Sequence, residues 1–220
     1  GRELDRSTHK TGYRWFSFDG EKGFSLNGKP YKLRGVNRHQ DHAPVGVALD
    51  DEAHRRDIRL IKEMGCNFIR IAHYPQDDAL VEACDEMGLL AWEEIPIINI
   101  VPDTPGYDDN CETNLTEMIR QHYNHPSIIA WGYMNEILLT APGPDRPEWP
   151  ACRERTVKLA QRLEKTLKQE DPYRASVMAF NMTNLYNEIG LDLVDVSGWN
   201  LYHGWYVGRL NDFNRWMEDQ

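Results

Sequence analysis

Ile128-Ile129-Ala130-Trp131-Gly132-Tyr133-Met134-Asn135-Glu136 is the stretch that decides the fold. Residues 128–134 read as a buried strand, and Glu136 puts a carboxylate at its C-terminal tip. Strand tips of this kind are where a parallel α/β barrel carries out its chemistry. A glutamate there, with an amide beside it, suggests acid/base work on a polar substrate such as a sugar. The bland alternative is a glutamate that starts a helix, favoured by the helix dipole.

Working outward, the same strand, loop, helix pattern repeats. Lys32 to Val36 reads as a short strand ending in the polar cluster Asn37 to His42. Asp50 can cap a helix whose inward stripe is Ile58, Ile61 and Met64, ended by Gly65. Asn67 to Ile71 is the next strand, with His73 and Tyr74 at its tip. Asp77 or Asp78 starts a helix through Leu80, Cys84 and Met87, stopped by Gly88. Leu89 to Trp92 is a strand with Glu93 and Glu94 at its end. A long loop follows to about Glu112, and Asn114 with Glu117 forms a capping-box pair. Beyond residue 134 come a helix from Arg153 to Gln169, strands at Ala175 to Phe180 and Val194 to Trp199, and a helix at Asp212 to Glu218.

Six strand-helix units in register predict parallel strands with right-handed crossovers. Polar residues gather after the strands, which fits a (β/α)8 TIM barrel better than a doubly wound sheet. A full barrel needs eight units, so the barrel is expected to be incomplete. Self-association through its unclosed edges is expected. Before the barrel, Tyr13 to Phe18 alternates as a strand and Asn27-Gly28 signals a hairpin turn. No G-x-G-x-x-G or P-loop follows any strand.

The chain has 220 residues and a net charge of -10 without a long basic run, so nucleic acid is not an expected partner. No apolar stretch approaches the ~20 residues of a membrane span. Gly1 to Asp5 lacks the apolar core of a signal peptide, so a secreted or periplasmic protein would carry its signal upstream. The four cysteines are widely spaced and form no C-x-x-C pair. Small buried thiols are the expected reading.

Several side chains are candidates for the site. His73, at a strand tip, can bond substrate hydroxyls or simply its own loop backbone. Arg70 lies within a strand, where an unpaired charge is costly, so it needs Glu136 or Glu94 as a partner. His39 and His42 have H-x-x-H spacing, but no further Cys or His nearby completes a metal set, so a solvated or substrate-binding loop is expected. Glu93 and Glu94 point to opposite faces of a strand, and at most one faces the barrel mouth. Trp199, Tyr202, His203, Trp205 and Tyr206 offer faces for sugar C-H groups, or else packing.

Phe24 to Pro30, Leu33 to His39, Asn67 to Pro75, Asn124 to Ile128 and Trp131 to Glu136, in this order and spacing, resemble glycoside hydrolase family 2. That family contains β-galactosidases, β-glucuronidases and β-mannosidases. The resemblance implies the catalytic barrel of a retaining enzyme acting on a carbohydrate without a cofactor. It makes Glu136 the acid/base. Asn135 becomes a sugar 2-hydroxyl contact, His73 a substrate-binding histidine, and Tyr202 the tyrosine beside the nucleophile. Substrate contacts are also expected from His39 and Trp199, and a structural, electrostatic role from Arg70 and Glu94. Residues 1–30 are read as the end of a preceding β-sandwich and its link, and residues 31–220 as the partial barrel.

The family's nucleophile is a second glutamate beyond the position of Tyr202, and the chain ends before it. Residues 1–220 alone are therefore expected to be inactive, because retention needs two carboxyls roughly 5–5.5 Å apart. β-Galactosidase is the first expectation, although Ile95 to Pro102 lacks a histidine some β-galactosidases carry there. β-Glucuronidase, β-mannosidase and a non-catalytic carbohydrate-binding fragment are the alternatives.

Overall fold

A small antiparallel sheet precedes the main one. In the computed structural model, which describes residues 2–8, 10–182 and 193–218, β1 (Phe16–Asp19), β2 (Gly23–Leu26) and β3 (Lys29–Pro30) pair in that order. Asn27 and Gly28 both take positive φ, as a two-residue hairpin turn requires, and Leu26 pairs with Lys29. The first strand starts at Phe16 rather than Tyr13, which is exposed. Arg14 ties this segment to the underside of the main sheet by donating to the carbonyls of Pro126 (2.9 Å) and Ile128 (2.9 Å). Phe18 packs against Ala130, Ala175 and Val177.

Six parallel strands follow: β4 (Gly35–Arg38), β5 (Phe68–Ile71), β6 (Leu90–Glu94), β7 (Ile128–Asn135), β8 (Ala175–Phe180) and β9 (Val196–Trp199). Each pairs with its neighbour in sequence, giving one sheet with β4 and β9 at its edges. This is an incomplete (β/α)8 barrel. Every residue of β7 and β8 is buried, whereas β4 and β9 are only partly covered. That contrast follows from position, because an interior barrel strand is covered on both faces. No helix among the described residues is long and apolar enough to cross a membrane.

The helices are α1 (Asp51–Glu63), α2 (Asp78–Met87), α3 (Tyr107–His122), α4 (Trp149–Glu170) and α5 (Asp212–Glu218). Asp50 and Asp77 cap α1 and α2 by accepting from the amides of Ala53 and Ala79. Gly88 ends α2 in the left-handed conformation that glycine adopts without strain.

Three expectations need correction. The first barrel strand runs from Gly35 to Arg38, not from Lys32 to Val36, because its register begins where Gly35 meets Phe68. A Cβ at Gly35 would collide with the Phe68 carbonyl, so only glycine fits. Met64 is 69 % exposed and caps α1, whose inward stripe is His54, Ile58 and Ile61. Asn114 and Glu117 lie inside α3, which begins at Tyr107 behind Gly106 with no side-chain cap. Cys84, Cys111 and Cys152 are buried and Cys66 is half-buried, all as free thiols.

Outside the sheet, His122 of α3 is 1 % exposed and sits between two carboxylates. Nδ1 lies 2.8 Å from Glu93 and Nε2 lies 2.8 Å from Asp78. Burial opposes the imidazolium, but Glu93 and Asp78 outweigh it and push the group up from 6.5 to about 9. A pKa raised on folding adds stability that is complete below about 6.5 and disappears as pH rises through about 9. Thermal melts between about pH 6 and about pH 10 should therefore show wild type losing about 3 kcal/mol more than His122→Gln over that window. Parallel curves for the two proteins would show that the ion pair contributes nothing.

Candidate active site

The polar residues that follow the parallel strands converge at one end of the sheet. Arg70 is on β5, one residue before Ile71, which pairs with Glu93, and aligns with Trp92 on β6. Period-two geometry then places Glu94 on the same face as Trp92, one step further toward the mouth. Asn135 ends β7 and Glu136 follows it. Asn200 follows β9, and His73 lies in the loop after β5.

Arg70 holds this group together. Its Nε donates to Glu94 Oε2 (3.0 Å), and its Nη2 donates to Glu94 Oε1 (2.9 Å) and Asn135 Oδ1 (2.9 Å). Its Nη1 donates to Asn200 Oδ1 (3.3 Å). The guanidinium lies 4.2 Å from the Trp92 ring centroid, a cation–π contact. Of the two partners foreseen for Arg70, the structure selects Glu94. Both side chains are almost wholly buried, at 5 % and 2 % exposure. Burying such a pair is costly in itself, so its retention points to positioning rather than to stability.

The network leaves particular atoms for a substrate. Asn135 Oδ1 accepts from both Arg70 and Asn200, whose Nδ2 is 3.0 Å away. Its two lone pairs are filled, which leaves the NH2 group as what Asn135 can offer. His73 Nδ1 bonds Glu94 Oε1. Since a carboxylate only accepts, Nδ1 carries the proton, and Nε2 is the ring atom left for a substrate. Arg70 Nη2 comes within 3.2 Å of the same Nδ1 because both donate to the same oxygen. Glu94, with both oxygens in charge-assisted hydrogen bonds, is a poor nucleophile.

A glycine in β7 makes this possible. A Cβ at Gly132 would strike the Trp92 indole nitrogen and the Glu94 side chain. Glu136 itself takes φ 49°, a left-handed conformation unusual for a side-chain-bearing residue, and its N–H donates to the Ala179 carbonyl (2.8 Å). That turn carries the chain out of β7 and leaves the carboxyl half-exposed at the mouth. Strain of this kind clusters at functional sites.

The remaining candidates divide. Tyr202 borders the same cleft as Glu136. Burial, and then the Glu136 charge, raise its phenol above the ordinary range. His39 is exposed, with its ring 5.2 Å from that of His73. Burial, and then His73, hold its pKa down. His42 does not join it, because its Nε2 meets Asp57 at 3.2 Å. Glu93 faces away, toward His122. Trp199 packs between Phe180 (5.4 Å) and Trp216 (5.5 Å). Sequence reasoning missed Asn200 and Trp92. Asn200 follows its strand as Glu136 follows β7, and the same strand-tip rule would have found it.

The family model described as "Glycosyl hydrolases family 2, TIM barrel domain" matches residues 20–220. A β-glucuronidase of Bacteroides fragilis is 38 % identical over 94 % of this chain and 28 % of its own length. A β-galactosidase of Thermoanaerobacter pseudethanolicus is 44 % identical over 61 % of this chain and 18 % of its own length. Among solved structures, Bacteroides uniformis β-glucuronidase 2, covalently bound to cyclophellitol-6-carboxylate aziridine, is 64 % identical with a TM-score of 0.94. That match covers 97 % of this chain and 26 % of the other. The chain thus spans about a quarter of the length of these two glucuronidases.

Proposed function

The chain belongs to glycoside hydrolase family 2, whose barrel model covers residues 20–220, and from that premise we propose that the whole protein is a retaining β-glucuronidase. The observation that carries this is the 64 % identity, over 97 % of the chain, to a β-glucuronidase solved with a 6-carboxylate sugar analogue attached. The β-galactosidase likeness, the first expectation from sequence, extends over only 61 % of the chain. The glucuronidase alternative is therefore preferred.

In this reading residues 1–30 end a preceding β-sandwich and lead into the barrel, and residues 31–220 form part of the catalytic barrel. Glu136 protonates the glycosidic oxygen as its bond to the anomeric carbon breaks. A second glutamate outside these residues forms the ester to that carbon. Glu136, now ionised, takes a proton from the water that attacks the same carbon and releases the sugar. Asn135, through its NH2, and His73, through Nε2, contact sugar hydroxyls. His39 and Trp199 are outer members of the binding face. Arg70 and Glu94 position Asn135 and His73. The guanidinium of Arg70 is committed to Glu94, Asn135 and Asn200. Arg70 is therefore not the cation that receives the uronic carboxylate.

A panel of 4-nitrophenyl β-glycosides tests the reading. The whole protein should favour the glucuronide over the galactoside and mannoside by about a hundredfold or more in kcat/KM, because polar groups built for a carboxylate are left unpaired by the others. A faster galactoside would restore the β-galactosidase reading. Cleavage by residues 1–220 alone would place a second catalytic carboxyl within them.

A further inference from the structure

One carboxamide ties together the ends of the first two barrel strands. β4 and β5 pair in parallel as far as Arg38 and Ile71. Beyond that rung the Ala72 N–H still donates to the Arg38 carbonyl (3.2 Å), and the two chains then part into loops. Gln76, in the loop between β5 and α2, is 4 % exposed. Its Nε2 donates to the carbonyls of Arg38 (2.9 Å) and Ala72 (3.1 Å). The side chain thus adds a rung where the ladder has ended.

The orientation of the amide is fixed as well. Gln76 Oε1 accepts from Arg38 Nη1 (2.6 Å). Arg38 is itself held by Asp57 of α1, which accepts from Nη2 (2.7 Å) and Nε (3.1 Å). Turning the amide over would set its oxygen against two carbonyls and its NH2 against a guanidinium. With both amide protons in use, Gln76 has none to donate to a substrate. Arg38 and Gln76 are both buried by this chain's own residues, so their contact does not depend on what covers the rest of the surface.

Two histidines directly follow the bonded carbonyls. Arg38 precedes His39, and Ala72 precedes His73. Their rings stand 5.2 Å apart at 72°, edge to face. A side chain that joins the residues just before both rings sets how far apart the rings stand. Resting on the reading that His39 and His73 contact the sugar, we propose that Gln76 is a positioning residue that fixes the spacing of these two histidines for sugar binding. Space-filling alone would need no amide here, because methionine has the same length without the donors. Small displacements of binding groups are costly in an active site, even when they originate away from the chemistry.

Gln76→Met keeps the length of the side chain and removes its hydrogen bonds. The test uses the whole protein and the 4-nitrophenyl glycoside it cleaves best. The expected result is a fall in kcat/KM of about tenfold, most of it as a higher KM, because hydroxyl contacts are made before the glycosidic bond breaks. The same change in a His39→Ala/His73→Ala background should cost less than about twofold, since the groups it positions are gone. A merely structural defect would cost the same in both backgrounds. A loss in the second background as large as in the first, or no loss in the first, would overturn the proposal. Where Gln76→Met does not fold, Gln76→Asn carries the same comparison, because its amide falls one methylene short of the carbonyls. Should the double histidine variant be as active as wild type, the reading of these histidines as sugar contacts falls, and a crystal structure of Gln76→Met decides the positioning separately. Ring centroids moved by about 1 Å or more from their separation of 5.2 Å support it. An unchanged separation removes it.

Discussion

Glu136→Gln should lower kcat of the whole protein toward methyl β-glucuronide by about 10^2- to 10^4-fold, the contribution of a positioned general acid. The amide keeps the shape of the carboxyl and its place after β7 but has no proton to give. The loss should depend on the leaving group. Methoxide is a poor leaving group and needs the proton, whereas nitrophenolate leaves without one. The 4-nitrophenyl substrate should therefore be less impaired in forming the glycosyl ester. Its hydrolysis should still lag, because water then lacks the base that Glu136 would have become. Azide needs no deprotonation, and adding it should restore turnover of the nitrophenyl substrate. Equal losses for both substrates, with no response to azide, would remove Glu136 from the acid/base role.

Arg70→Met should be the most destabilising single change near the site. It leaves Glu94 buried at 2 % exposure, with His73 as its remaining partner. Removing one member of a buried pair costs about 3–5 kcal/mol, mainly because the other charge is stranded. For a domain of this size that corresponds to a fall in Tm of about 10 °C. The double variant Arg70→Met/Glu94→Gln should recover part of the loss, since it no longer buries a lone charge. A double variant less stable than the single would mean that the stranded carboxylate is not the cause. Activity should stay low in both, because Asn135 and Asn200 lose the group that orients them.

The position of Glu136 at the end of a buried strand was legible in the sequence because that is a local pattern. The need of Arg70 for a carboxylate was legible too, from the cost of a charge within a strand. Its choice of Glu94 was not, because that depends on Arg70 aligning with Trp92 across two strands. The start of α3 was hidden for the opposite reason. Gly106 begins it by conformation alone, while Asn114 and Glu117 imitate a capping box in mid-helix. The first barrel strand was misplaced by three residues because its start is set by contact between Gly35 and Phe68, which lie far apart in the chain.

The strand order also bears on how the protein is made. Each barrel strand joins the one before it, so a partner is already present when a new strand leaves the ribosome. The sheet can grow one strand at a time, each new strand closing a single crossover connection to the strand before it. The polar cluster follows a different schedule. Asn200 reaches back across 130 residues to Arg70 and across 65 to Asn135. Most of the scaffold can therefore stand before the residues that would handle substrate are held in place. A nascent chain would be structured well before it could be competent, and a ligand that needs Asn200 would recognise only molecules whose synthesis had passed that residue.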